Sequence, residues 1–170
     1  NKPDNFIITF VNTGEETLPG ERILRVKKYI PKADKNFMVT YGDGVSDVNI
    51  KDLVTFHNKQ KTIGTITGVH PRSKWGLLKA NTNNLAISFV EKPVLKGEWV
   101  NGGFMIFKRD FFDFLDKGEM EHEGLKRLVE RKELSINVHE GFWHAVDTYP
   151  DLDNLNRMWN EDPKWKVWKD

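Results

Sequence analysis

Four stretches of this chain carry residue types that could do chemistry. The first is Gly42-Asp43-Gly44, which ends the apolar, β-favouring run Phe37 to Tyr41 and is followed, after Ser46 to Ile50, by a helical pattern with Leu53, Val54 and Phe56. In open α/β sheets ligands bind at the carboxyl ends of strands, so this strand–turn–helix order offers Asp43 to a ligand or a metal. Gly42 and Gly44 leave room beside the backbone, although an ordinary Asp-Gly turn has the same signature. Glu91-Lys92-Pro93 follows a run ending at Val90; it is either a charged binding pair or a solvated pair before a proline turn. Asn101-Gly102-Gly103-Phe104 opens the next apolar run, where paired glycines admit a close neighbour or make a bulge. Asp147 adds a second acid after the aromatic run Gly141 to Val146.

The elements that must position these residues follow from periodicity. Phe6 to Val11 reads as a strand, and Pro19-Gly20 opens a helix with Ile23, Val26, Lys27 and Ile30 on one face, ended by Pro31. A strand at Phe37–Tyr41, a helix from about Asn49 to Gln60 and a β-branched strand at Thr62–Val69 come next. Lys74–Lys79 and Leu85–Val90 pair around the Asn81–Asn84 turn. Val100–Phe107 is a strand, Asp110–Leu115 a short helix, Glu121–Arg131 a longer helix and Leu134–Val138 a strand. A last helix from Pro150 carries Leu152, Leu155 and Met158. Helices alternating with strands, with a β-rich insert, predict an α/β fold around a mixed sheet.

Composition narrows the function classes. Lys and Arg total 26 against 25 Asp and Glu, so no single-sign field points to nucleic acid or to a membrane surface. Cysteine is absent, which rules out disulfides and thiolate metal sites and fits a cytoplasmic protein. No apolar run is long enough to span a bilayer. Six tryptophans are present, and Trp159, Trp165 and Trp168 crowd the C-terminal tail, where they are expected to pack on a neighbouring chain or back on the domain. His144 reads as a structural hydrogen-bonding histidine, and His57, His70, His122 and His139 lack metal-ligand spacing.

Taken in order, these stretches resemble the sugar-1-phosphate nucleotidyltransferases, and within them the branch acting on CTP and glucose 1-phosphate. The matching pieces are Thr13-Gly14 with Gly20 to Tyr29, Thr40 to Asp47, Glu91-Lys92-Pro93, Asn101 to Phe104, Gly141-Phe142-Trp143 with Asp147-Thr148, and Trp165-Lys166-Val167-Trp168. The resemblance implies a Rossmann-like, mostly parallel sheet with a β-rich sugar-binding insert. Asp43 and Asp147 match the two aspartates that hold catalytic Mg²⁺, and Lys92 matches a lysine on the sugar phosphate. Glu91 matches an acid that binds sugar hydroxyls. Asn101 and Gly103 match the floor of the hexose site, where a side chain on Gly103 would intrude on the sugar, and Gly42 lies beside the metal-binding acid. The family's substrates are a nucleoside triphosphate and a hexose 1-phosphate, and its members form homo-oligomers.

The chain departs from the family pattern in four places. It holds no Gly-rich triphosphate loop with its arginine, so the expectation is one domain, 1–170, equivalent to the C-terminal part of a nucleotidyltransferase domain. Gly20-Glu21-Arg22 stands for Gly-Gly-Arg, Lys74-Trp75-Gly76 for Arg-Phe-Gly, and Glu119 to Gly124 for a Trp-containing acidic segment. Two other readings remain at this stage: a sugar-phosphate-binding or assembly module without catalysis, and a metal-dependent glycosyltransferase, against which Glu91-Lys92-Pro93 and the Trp165–Trp168 tail argue.

Overall fold

The computed structural model describes residues 6–168. Pro19 starts α1 (Pro19–Val26), where a missing N–H costs nothing. The chain then tightens into a 3-10 turn over Lys27–Tyr29. There follow β1 (Asn36–Thr40), β2 (Gly44–Ser46), α2 (Ile50–Gln60), β3 (Gly64–Val69), the ribbon β4 (Leu77–Ala80) and β5 (Ala86–Val90), and β6 (Val100–Lys108). A 3-10 segment over Arg109–Phe114 precedes a π-helical segment, Met120–Leu125, which runs into α3 (Lys126–Glu130). β7 (Leu134–Val138), β8 (Trp143–Ala145) and α4 (Tyr149–Glu161) complete the chain. Asn49 caps α2 by accepting from the N–H groups of Lys51 and Asp52, and Lys61, with φ +64°, closes it in the left-handed conformation.

The main sheet has the order β1-β6-β3-β7. β1, β3 and β7 run in one direction and β6 runs against them, pairing antiparallel on both sides. The sheet is therefore mixed, and mostly parallel by strand direction, as the sequence predicts. Being central, β6 buries both faces, and its pleat divides its side chains between two clusters. Met105 and Phe107 enter the larger core with Phe37, Phe111, Met120 and Leu128. Ile106 turns to the other face and meets Val48 and Leu53. Phe107 stacks on Phe111 at 3.9 Å between ring centroids, and burying a phenylalanine fully is worth about 2–3 kcal/mol.

Several expectations change. Phe6–Val11 forms no strand, and Phe6, Ile7, Ile8 and Phe10 are exposed by 72–96%. A β-favouring sequence becomes a strand by pairing its backbone groups, and among the described residues no strand lies beside this one. The expected Glu121–Arg131 helix is split into π and α portions. The tail takes one of its two expected arrangements and folds back on its own domain: Trp165 stacks on Phe142 at 5.4 Å, and Trp159 leans on both Trp165 and Trp168. Among the described residues no helix is long and apolar enough to cross a membrane.

Candidate functional site

The site lies at the edge of the main sheet where β1, β3 and β7 end and β6 begins. Past β1 the chain bends at Gly42-Asp43 and enters β2, which pairs antiparallel with β8, Gly44 opposite Ala145 and Ser46 opposite Trp143. The Val146 N–H donates to the Asp43 carbonyl at 2.8 Å and carries the contact one residue past the ladder. The backbones of Asp43 and Asp147 are thus held alongside each other, and both residues are exposed. Regular pleating stops at Gly44 and Ala145, and the backbone bends at Gly42-Asp43 and at Thr148.

Asp147 directly precedes α4. Thr148 caps that helix in a reciprocal box with Asp151, whose carboxyl is held below the usual carboxylate range chiefly by the Thr148 hydroxyl. The positive end of the helix favours negative charge at its start, where Asp147 stands. His144, opposite Val45, has its Nε2 3.3 Å from Asp151 Oδ1.

The other side of the ladder is pinned by Asp47 and Ser46. Asp47 Oδ1 accepts from the Phe142 N–H at 2.7 Å and lies 2.8 Å from His139 Nε2. Ser46 Oγ meets the same His139 nitrogen at 3.3 Å. A nucleophilic triad needs serine and acid on opposite ring nitrogens, so these three residues fasten the ladder and are not a triad.

A second constellation stands behind Asp43. Gly103 has φ +82°, and a Cβ there would come within 2.7 Å of the Tyr41 ring. Gly103 therefore makes room for the Tyr41 ring. Asn101 Oδ1 accepts from the Gly103 N–H at 2.9 Å, and its Nδ2 donates to the Tyr41 hydroxyl at 3.1 Å. That hydroxyl donates to Glu121 on the π-helical segment. Burial first, and then the Glu121 carboxylate, push the phenol well above its ordinary pKa, so it stays protonated. Trp143 Nε1 donates to the Gly102 carbonyl at 2.8 Å and joins β8 to β6.

Asp43, Asp147, Asn101 and Gly103 are therefore gathered at one edge with Gly42. Glu91 and Lys92 lie exposed at the base of the β4–β5 ribbon, with no hydrogen bond or ion pair to those residues among the described ones. The ribbon base is tied down by the Ser73 N–H donating to the Pro93 carbonyl at 2.8 Å and by the Arg72–Val94 bridge. Lys92 has φ +45°, a strained conformation for a side-chain-bearing residue and one that collects at functional sites. Among the described residues no group of three or more His, Asp or Glu side chains encloses a cation site.

Tyr41 and Glu121 escaped the sequence reading. Tyr41 lay inside the strand motif and passed as its last apolar residue. Glu121 sits 80 positions away, at the start of the expected Glu121–Arg131 helix, and no spacing rule connects them.

Residues 12–166 match the family model described as nucleotidyl transferase. The chain is 39% identical over 171 residues to the probable glucose-1-phosphate cytidylyltransferase of Bacillus subtilis (strain 168), covering 98% of this chain and 66% of that protein. It is 35% identical over 165 residues to the glucose-1-phosphate cytidylyltransferase of Salmonella typhimurium, covering 95% of this chain and 63% of that protein. It thus spans about two thirds of the length of these relatives. The crystal structure of HddC from Yersinia pseudotuberculosis, 19% identical, shares the fold with a TM-score of 0.64 over 94% of this chain and 70% of that one. With a family model spanning nearly all of its length, the chain belongs to the nucleotidyl transferase family.

Proposed function

We propose that this chain carries the sugar-phosphate side of an enzyme that converts CTP and glucose 1-phosphate to CDP-glucose and diphosphate. The observation that carries the reading is the β2–β8 ladder, which holds the Asp43 and Asp147 segments together in a nucleotidyl transferase chain. A phosphate oxygen of glucose 1-phosphate forms a bond to the α-phosphorus of CTP. The P–O bond to the β-phosphate breaks, and diphosphate leaves with the electron pair. No covalent enzyme intermediate is required. The cytidylyltransferase relatives, at 35–39% identity, favour CTP as the nucleotide.

The residues present suit Mg²⁺. Two exposed carboxylates on adjoining segments give the hard oxygen donors that this ion takes, one or two at a time, beside phosphates and water. When bound, the ion supplies charge neutralisation to the phosphates. Asp43 and Asp147 hold it, Lys92 pairs with the sugar phosphate, and Glu91 accepts from hexose hydroxyls. Asn101 and Gly103 form the floor of the hexose site, while Gly42 leaves space beside Asp43. The reading also has the protein cytoplasmic and self-associating, through apolar surface open at Phe6–Phe10 and on the ribbon at Leu78, Ile87 and Phe89.

The test is product formation by the protein expressed from its complete coding sequence, supplied with glucose 1-phosphate, Mg²⁺ and each of CTP, UTP, dTTP and GTP. CDP-glucose is the expected product, and release of diphosphate with another nucleotide would revise the base. The 170-residue chain assayed by itself is expected to be inactive, because positioning of the triphosphate carries this class of catalysis and its sequence holds no Gly-rich loop. Turnover by it on the order of 1 s⁻¹ would overturn that expectation. Light scattering checks self-association, which a stable monomer at high concentration would contradict.

A further inference from the structure

Glu121 is partly exposed on a π-helical segment, a rare geometry that collects at functional sites. A carboxylate accepts hydrogen bonds and donates none, and the Tyr41 hydroxyl gives its one hydrogen to Glu121. Its lone pairs are then free to accept, and Asn101 Nδ2 donates to them. The direction of that bond fixes which end of the Asn101 amide faces the phenol. Oδ1 is left to hold the Gly103 N–H. One acidic group thus orders a chain of bonds that ends on the glycine corner of β6, with the Tyr41 ring seated on Gly103.

We infer that Glu121 is a positioning residue for the hexose 1-phosphate: through Tyr41 it fixes the orientation of Asn101 and the conformation of Gly103 at the floor of the sugar site. This rests on the proposed function above, because the floor matters when a hexose occupies it. Glu121 touches no reacting atom in this account, so its loss weakens sugar binding and spares the nucleotide.

The test uses the protein from its complete coding sequence and the variants Glu121→Ala, Glu121→Gln and Tyr41→Phe. Glucose 1-phosphate binding is measured by calorimetry without nucleotide, and KM is measured for both substrates. Hydrogen bonds to charged groups are worth enough for a tenfold effect or more. Glu121→Ala and Tyr41→Phe are each expected to weaken glucose 1-phosphate binding about tenfold while the KM for CTP stays within twofold. Glu121→Gln, whose carbonyl still accepts from the phenol, is expected to restore most of the binding. The double variant Glu121→Ala/Tyr41→Phe is expected to lose no more than either single one, since both break one chain of bonds. If Glu121→Ala fails to fold, Tyr41→Phe and the glutamine variant decide. Unchanged sugar binding, an equal rise in both KM values, or no glucose 1-phosphate binding by the unsubstituted protein would each overturn the inference. Sugar binding that responds to these variants without any nucleotide transfer would uphold the inference and sink the proposed reaction.

Discussion

Trp143 donates its indole hydrogen to the carbonyl of Gly102 at 2.8 Å, and Gly102 is buried. That bond ties the small β2–β8 ladder, and with it both aspartates, to the central strand of the main sheet. Trp143→Phe keeps an aromatic ring and removes the donor. The expected loss is about 1–3 kcal/mol of stability, the cost of an orphaned buried carbonyl, together with weaker Mg²⁺ binding. Denaturant unfolding and an Mg²⁺ titration measure the two effects. Unfolding at the unsubstituted midpoint with unchanged Mg²⁺ affinity would show that the ladder is held by other contacts.

Asp43 is exposed, and its backbone carbonyl, which accepts from Val146, makes the structural bond. Asp43→Asn is therefore expected to leave stability within about 0.5 kcal/mol. In the protein from the complete coding sequence it should lower turnover by at least about 10²-fold, the scale of losing one group that stabilises developing charge. Paired melting and turnover measurements separate the two, and a variant with near-normal turnover would remove Asp43 from the site.

Lys92 allows backbone and charge to be tested separately. A residue with a Cβ pays about 1–2 kcal/mol in the left-handed region, and Lys92 has φ +45°. Lys92→Gly should be more stable than Lys92→Ala, because only glycine escapes the Cβ cost at this φ. Both should raise the KM for glucose 1-phosphate, because both remove the ammonium. Equal melting temperatures for the alanine and glycine variants would show that the turn is unstrained.

His57 is buried, with Nδ1 2.8 Å from Thr65 Oγ1 and Nε2 without a hydrogen-bond partner. Burial, and then the nearby Lys108 ammonium, lower its pKa below the ordinary 6.5. The unfolded chain therefore takes up a proton at a higher pH than the folded one. The linked stability is fully present above about pH 6.5 and is lost as pH falls toward the folded-state value. Urea midpoints at pH 7.5 and 5.5 should differ less in His57→Asn than in the unsubstituted protein. An equal pH dependence in both would assign the effect to other groups.

The large elements were legible from sequence because their apolar residues repeat at the period of one strand or helix. The run Phe37–Tyr41, the capped helix after Asn49 and the β-branched strand before His70 fall close to their expected positions. The β2–β8 ladder was not legible: its strands are three residues each, too short to show a period, and nearly a hundred positions separate them. The role of Gly103 was half legible, since its need for space could be read and the Tyr41 ring that takes the space could not. Phe6–Val11 shows the converse, a sequence with strand character and, among the described residues, no strand beside it.

The place of β6 between β1 and β3 has a consequence for how the chain is made. During synthesis β1 and β3 leave the ribosome before β6 does, yet neither has the other as a neighbour. Among the described residues each finds its first strand partner only in β6, which ends at Lys108, while the local β4–β5 ribbon can close at once. Non-local pairing of this kind slows folding and lengthens exposure to aggregation. When these 170 residues are made by themselves, a nascent chain from which β6 has not yet emerged should therefore show no pairing of β1 with β3, and emergence of β6 should join the three strands in one step.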